Sequence, residues 1–324
     1  MRAGILVLFA AAAFAQPKPA VVVAADSSGD FTTVGAALSS GAKVIRIKPG
    51  TYREVLDISR AGIQLRGTGA RPQDVVLTYD NSAGTAGGTT KSASVTVSGD
   101  DFYAENLTIE NSFSRTHPLT PEGSQAVALK ITGDRAVFRK VRFLGFQDTL
   151  YANSKHCETD KGPCEPARQY FSECYIEGHV DFIFGDALAF FDRCEIHALA
   201  HSSIMLTAQS RHYAEEKSGY VFDHCSITAE KGADRVYLGR PWRAYSTVVF
   251  LNTDMPAQIM AEGWREWEHD GKPSLPTSFY AEYRSQGPGA RPDSRKQLTA
   301  AEAARFALPT FLAGDDHWDP TKVH

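Results

Sequence analysis

The sequence holds no Cys-x-x-Cys pair and no histidine cluster at metal-ligand spacing, which argues against a zinc site. No metal or other cofactor is expected. Beyond the N-terminus no apolar run is long enough to cross a bilayer. The formal net charge of −4 over 324 residues supplies no basic field of the kind nucleic acid requires. It leaves an anionic substrate open, because a local basic cleft can outweigh a weak global charge. Helical signals are also scarce. Between a short Ala-rich stretch at Phe31–Ser39 and about residue 299 the chain alternates short β-rich runs with Gly, Asp and Asn turns.

Residues 1–15 read as a secretory signal. Arg2 gives the positive start, Gly4 to Ala13 is an apolar core too short to span, and Ala13-Phe14-Ala15 fits a small-x-small cleavage site before Gln16. An uncleaved anchor is the alternative. The mature chain, residues 16–324, is expected as one domain outside the cytoplasm, extracellular or periplasmic, free of the membrane after cleavage, and monomeric. Five cysteines remain, at 157, 164, 174, 194 and 225. An odd number leaves at least one unpaired within the chain. Cys157 and Cys164 lie in a polar loop segment where a local disulfide is plausible, with two free thiols as the alternative.

The β-rich middle repeats itself. The frame Phe171-Ser172-Glu173-Cys174-Tyr175-Ile176 returns as Phe191-Asp192-Arg193-Cys194-Glu195-Ile196 and as Phe222-Asp223-His224-Cys225-Ser226-Ile227. Related copies start at Ala104, Phe138 and Phe250. First, fourth and sixth positions are mostly apolar. Fourth positions fall at 107, 141, 174, 194, 225 and 253, so the spacing ranges from 20 to 34. A constant core frame at irregular spacing indicates a solenoid whose coils carry loops of different lengths. The expected fold is all-β: a single-domain parallel β-helix with a short N-terminal helix, protruding loops and a C-terminal helical tail. Cys174, Cys194 and Cys225 would then share one internal column, as small core thiols. Asn111–Ser124, Ala152–Gln169 and Thr207–Gly219 are the candidate loops. Thr299 is the expected N-cap of the tail helix.

Two segments set an aspartate among apolar and aromatic neighbours, Gln147-Asp148-Thr149-Leu150-Tyr151 and Asp181-Phe182-Ile183-Phe184-Gly185. A carboxylate in such a strand is costly unless something pairs with it. Two of them suggest one carboxyl kept ionised and one kept protonated. Taken singly, each could be an ordinary polar residue at a strand end.

These segments occur in order with Gly50-Thr51-Tyr52-Arg53-Glu54, Gln125-Ala126-Val127-Ala128-Leu129 and Leu238-Gly239-Arg240-Pro241-Trp242. Together they closely resemble the pectin methylesterases, a carbohydrate esterase family built on a right-handed parallel β-helix. The likeness runs from about Val21 to Trp318. It implies Asp181 as nucleophile, ionised by Arg240, and Asp148 as general acid and then base. It implies the amides of Gln125 and Gln147 as donors to the developing oxyanion. Trp242, Tyr151 and Phe184 would face the sugar, and Thr89 or Thr90 would reach it. Tyr52 and Glu54 would support the fold, and His179 would lie on the rim. The implied substrate is methyl-esterified homogalacturonan, and the products are de-esterified pectin and methanol.

Each residue also has a plainer explanation. Gln125 and Gln147 could satisfy one another in an internal amide ladder, and Arg240 could be a surface residue stacked on Trp242. Asp148 and Asp181 are 33 residues apart, wider than one coil. The excess is the cysteine-bearing loop after Tyr151, which bears on cleft shape. The signal is expected to join the catalytic part directly, without an inhibitory pro-domain. Competing with a pectinesterase are an esterase or thioesterase on the same scaffold with another substrate, and a non-catalytic pectin-binding β-helix.

Overall fold

A computed structural model describes residues 19–117, 123–155 and 165–324. The expected signal peptide and the Cys157 and Cys164 pair lie outside the described residues. Among these residues the strands form three sheets, one of ten strands and two of seven. Neighbouring strands within each sheet are parallel and belong to successive coils, as in Phe138↔Phe171, Phe171↔Phe191 and Phe191↔Phe222. The coils make a right-handed parallel β-helix, the hand that parallel crossovers favour.

The repeated frame marks where the ten-stranded sheet turns into its neighbour. Its first position points inward, and the rings of Phe138, Phe171, Phe191, Phe222 and Phe250 stack up the interior with centroids 4.4–4.8 Å apart. That distance is the strand spacing itself, so each coil places its ring flat on the next. The fourth position supplies Cys174, Cys194 and Cys225, all buried and free. The third position carries a feature absent from the hydrophobic pattern. Asn106, Lys140, Glu173, Arg193, His224 and Asn252 all have φ between 49° and 53°. One left-handed residue per coil turns the chain sharply between sheets. Its side chain faces outward, so polar residues tolerate the conformation there.

The ends differ in detail from the sequence expectation. The N-terminal helix spans Val34–Ser39 and starts three residues later than the Ala-rich stretch, because Thr33 caps it by accepting from the Ala36 N–H at 3.2 Å. Glu54 accepts from the Val34 and Gly35 N–H groups at 2.8 and 2.9 Å. Its place in the Gly50–Glu54 segment is therefore to anchor this helix. Thr299 and Glu302 form a capping box at the tail helix Ala300–Ala303. The tail then lies along the ten-stranded sheet, burying Leu298, Ala303 and Leu312 against Tyr170, Phe190 and Val221. The loop expected from Thr207 begins only after Gln209, since Ile204–Gln209 is a strand.

Candidate active site

Asp148 and Asp181 both sit at the corner leading into the second seven-stranded sheet. Leu150 pairs with Ile183, so the two aspartates are in register on adjacent coils. Both are left-handed, with φ of 65° and 53°. The two corners are tied together, since the Asp148 N–H donates to the Val180 carbonyl at 3.2 Å. Gly185 closes the second segment at φ +114°, where a Cβ would lie 2.2 Å from the Ala152 carbonyl oxygen. Only glycine allows the coils to meet that closely at this point.

Arg240 follows the strand Val236–Gly239, two coils beyond Asp181. It reaches back as a two-pronged donor, Nε to Oδ1 at 2.8 Å and Nη2 to Oδ2 at 2.5 Å. The other face of its guanidinium lies 4.0 Å from the ring centroid of Trp267. Trp267 was not picked out by the sequence. Trp242, the stacking partner of Arg240 in the plainer explanation, takes Arg243 instead, at 4.9 Å.

A cleft of about 390 Å³ is lined by Thr89, Gln125, Gln147, Asp148, Asp181 and Arg240, with Phe184, Trp242 and Trp267 among its walls. Tyr151 does not line it. It stacks beside Phe184 at 4.5 Å and belongs to the same apolar cluster as Phe184, Ala208, Trp242 and Trp267. Trp242 meets Phe184 edge-on at 5.9 Å. The side-chain amides of Gln125 and Gln147 make no hydrogen bond among the described residues, to one another or to the backbone. They stand as open donors on adjacent coils, linked only through the main chain, where the Ala126 N–H donates to the Gln147 carbonyl at 3.1 Å. The Asp148 carboxyl is likewise without a described hydrogen-bond partner.

The two carboxyls differ electrostatically. Asp148 keeps a partial opening to the cleft but is otherwise packed round by protein. Burial first, and the nearby charge of Asp181 second, hold its carboxyl well above the usual range, and Arg240 only partly opposes this. Burial also pushes Asp181 upward, but the Arg240 hydrogen bonds and charge pull it back. Asp181 is therefore the more acidic of the two, and the first proton lost is lost there. His179, expected at the rim, is not among the residues that line the cleft; its ring lies 4.5 Å from that of His201. Its Nδ1 accepts the Val180 N–H at 2.8 Å, and burial pulls its pKa down to about 4. It is neutral near pH 7 and its acceptor nitrogen is turned to the backbone, away from the reacting groups. Among the described residues no group of three or more His, Cys, Asp or Glu could hold a metal ion, and no helix is long and apolar enough to cross a membrane.

The family model described as Pectinesterase matches residues 20–315. The probable pectinesterase/pectinesterase inhibitor 17 of Arabidopsis thaliana is 38% identical over 328 residues, covering 95% of this chain and 59% of the relative. The chain thus spans less than two thirds of that relative's length. The pectin methylesterase from carrot is 32% identical with a TM-score of 0.80, covering 94% of this chain and 96% of the carrot chain. A pectin methylesterase solved in complex with a hexasaccharide is 32% identical with a TM-score of 0.79, covering 92% and 97%.

Proposed function

Since this chain belongs to the pectinesterase family, we propose that it removes methyl esters from galacturonate units of pectin and releases methanol. The observation that carries this reading is the two-pronged Arg240–Asp181 pair standing beside a carboxyl held protonated, in one cleft with two uncommitted amides. Asp181 is the nucleophile. Two hydrogen bonds hold its charge without consuming every lone pair, so one oxygen can still attack the ester carbonyl carbon. The carbonyl oxygen becomes negative, and the Gln125 and Gln147 amides donate to it. Asp148 gives its proton to the departing methoxide, and methanol leaves. The galacturonyl group is then joined to the Asp181 carboxyl as a mixed anhydride. Water attacks that acyl carbon while Asp148, now ionised, takes the water proton. The C–O bond to Asp181 breaks, freeing a galacturonate carboxyl and restoring both aspartates.

Phe184, Trp242 and Trp267 give the sugar flat apolar walls, and Tyr151 on the adjacent coil stacks on Phe184. Thr89 places a hydroxyl at the cleft wall for a sugar oxygen. The solved hexasaccharide complex of a relative supports a polymer or oligomer of galacturonate as the ligand. Residues 1–15 serve as the export signal and residues 16–324 act as a secreted monomer.

The test is methanol release from methyl-esterified pectin by purified residues 16–324, with a simple acetyl ester alongside. Methanol release that disappears in a folded Asp181→Asn variant is the expected result. Acetate release without methanol would move the chain to another esterase class. Full turnover by Asp181→Asn would remove the nucleophile.

A further inference from the structure

The Trp267 indole that lies on Arg240 comes from a stretch outside the repeating frame. Up to Arg265 that stretch still follows the coil. The Leu238 N–H donates to the Gly263 carbonyl at 2.7 Å, and the Arg265 N–H donates to the Gly239 carbonyl at 3.0 Å. Trp264 stacks on Tyr280 with ring centroids 4.0 Å apart. Beyond Arg265 the chain leaves the solenoid as a hairpin. The His269 and Lys272 backbones exchange two hydrogen bonds, each 2.9 Å, around Asp270 and Gly271 at φ 51° and 68°. Two left-handed residues in succession are the signature of a tight hairpin turn. The chain re-enters the body at Ser274, which is buried, and at Leu275, which packs against the interior cluster.

Glu266 closes the base of this loop. Its Oε1 accepts from the N–H groups of Trp267 at 2.9 Å, Ser274 at 2.7 Å and Leu275 at 3.2 Å, and its Oε2 lies 3.3 Å from the Leu275 nitrogen. One carboxylate thus ties the residue that leaves the body to the two that return to it. A carboxylate shared by several backbone N–H groups makes charge-assisted bonds, stronger than neutral ones. The indole is the first side chain inside the closure.

Arg240 depends on that indole for one of its two constraints. Its Nε and Nη2 are held edge-on by Asp181, and its face is held by the Trp267 ring at 4.0 Å. Without the plate, a long side chain rich in rotamers regains freedom that the two-pronged pair must then overcome. Arg265 adds a second positive charge acting on Asp181. It is tied by its own bonds, to Gly239 and to Ser203 Oγ at 2.6 Å, and does not need Glu266 for its place.

We propose that Glu266 is a positioning residue for the reaction: by closing this loop it keeps the Trp267 ring on Arg240, and so keeps the guanidinium on the Asp181 carboxylate. The inference rests on the activity proposed above. Glu266 touches neither carboxyl of the acid pair and acts through two side chains in series. The sign of its effect separates this role from a plain charge effect. Removing a negative charge would by itself make Asp181 more acidic, whereas loosening Arg240 makes it less acidic.

The experiment compares Glu266→Ala, Glu266→Asp and Glu266→Gln with wild type by two readouts. One is the acid limb of kcat/KM for methanol release. The other is carbon NMR titration of the Asp181 carboxyl, assigned with Asp181→Asn, which needs no substrate. Glu266→Ala should move both upward by about half a pH unit and lower kcat/KM about tenfold. Glu266→Gln retains an acceptor oxygen for the same N–H groups and should leave both at or slightly below wild type. Glu266→Asp keeps the charge on a shorter stem and should fall between, and it carries the comparison if the alanine variant does not fold. In an Arg240→Ala background, Glu266→Ala should move neither readout further. Folded Ala and Asp variants with unmoved titrations would overturn the proposal, as would a Gln variant that moves as far as Ala, or a shift that persists without Arg240. A wild type that releases no methanol would refute the catalytic reading alone, since the carboxyl titration still decides the positioning.

Discussion

Asp148 and Asp181 occupy equivalent corners of adjacent coils, both in the left-handed conformation and with their backbones joined through the Val180 carbonyl. Stacking two acids in register makes their titrations interdependent. Only Asp181 has a guanidinium on its carboxylate. That asymmetry divides the pair into a base form and an acid form.

Asp148→Asn should stop turnover, by at least about a hundredfold if proton donation is its role, and should also stabilise the fold. The sign follows from the upward direction of its pKa. The folded chain retains a proton that the unfolded chain loses above about pH 4. Stability contributed at low pH is therefore lost as pH rises from that value towards the folded pKa. Asparagine never ionises and escapes this loss. Thermal melts should show the variant close to wild type at pH 4 and above it at pH 7. A variant that melts lower at pH 7 than at pH 4 relative to wild type would contradict the assignment.

Arg240→Ala should weaken turnover and move the acid limb of kcat/KM upward by about one pH unit. Arg240 pulls the Asp181 pKa down, so its removal means that the carboxylate is protonated at a higher pH as acid is added. An unmoved acid limb would show that the pair does not set the ionisation of the nucleophile.

Gln125→Ala and Gln147→Ala should each lower kcat by about a hundredfold with little change in KM. Their amides are open donors in the resting cleft, so the gain is realised as charge develops on the ester oxygen. Equal effects on KM and none on kcat would instead make them binding groups.

Phe191→Ala should cost about 3–5 kcal/mol of stability. The ring is fully buried and stacked on Phe171 at 4.7 Å and on Phe222 at 4.4 Å. A cavity there breaks the internal column on both sides. Urea unfolding with an unchanged midpoint would mean that the column relaxes around the gap.

Much of this was readable from the residues. The frame beginning at Phe138, Phe171, Phe191 and Phe222 announced a solenoid, because each coil must present the same apolar positions to the next. The acid pair stood out because carboxyls are rare in such apolar strands. The third position of the frame escaped notice. Lys140, Glu173 and Arg193 share a backbone angle and no chemistry, so no residue-type pattern reveals the corner. Trp267 was missed for a related reason. It lies in a loop with no frame around it, and only the returning chain brings its ring onto Arg240. Tyr151 shares a face with Phe184, its partner on the next coil, and stacks on that ring without lining the cleft itself.

The amino-acid order alone determined the coil and its core, which depend on short-range periodicity, and the acid pair, which stood out by its apolar setting; the amides of Gln125 and Gln147 were named only through the resemblance to the pectin methylesterases. Which groups share one space was settled by tertiary structure. Arg240 is 59 residues from Asp181, and its pairing with that carboxyl rather than any other depends on how two full coils stack between them. The difference in acidity within the pair has the same origin, because burial and nearby charge are properties of the assembled cleft and of no single segment.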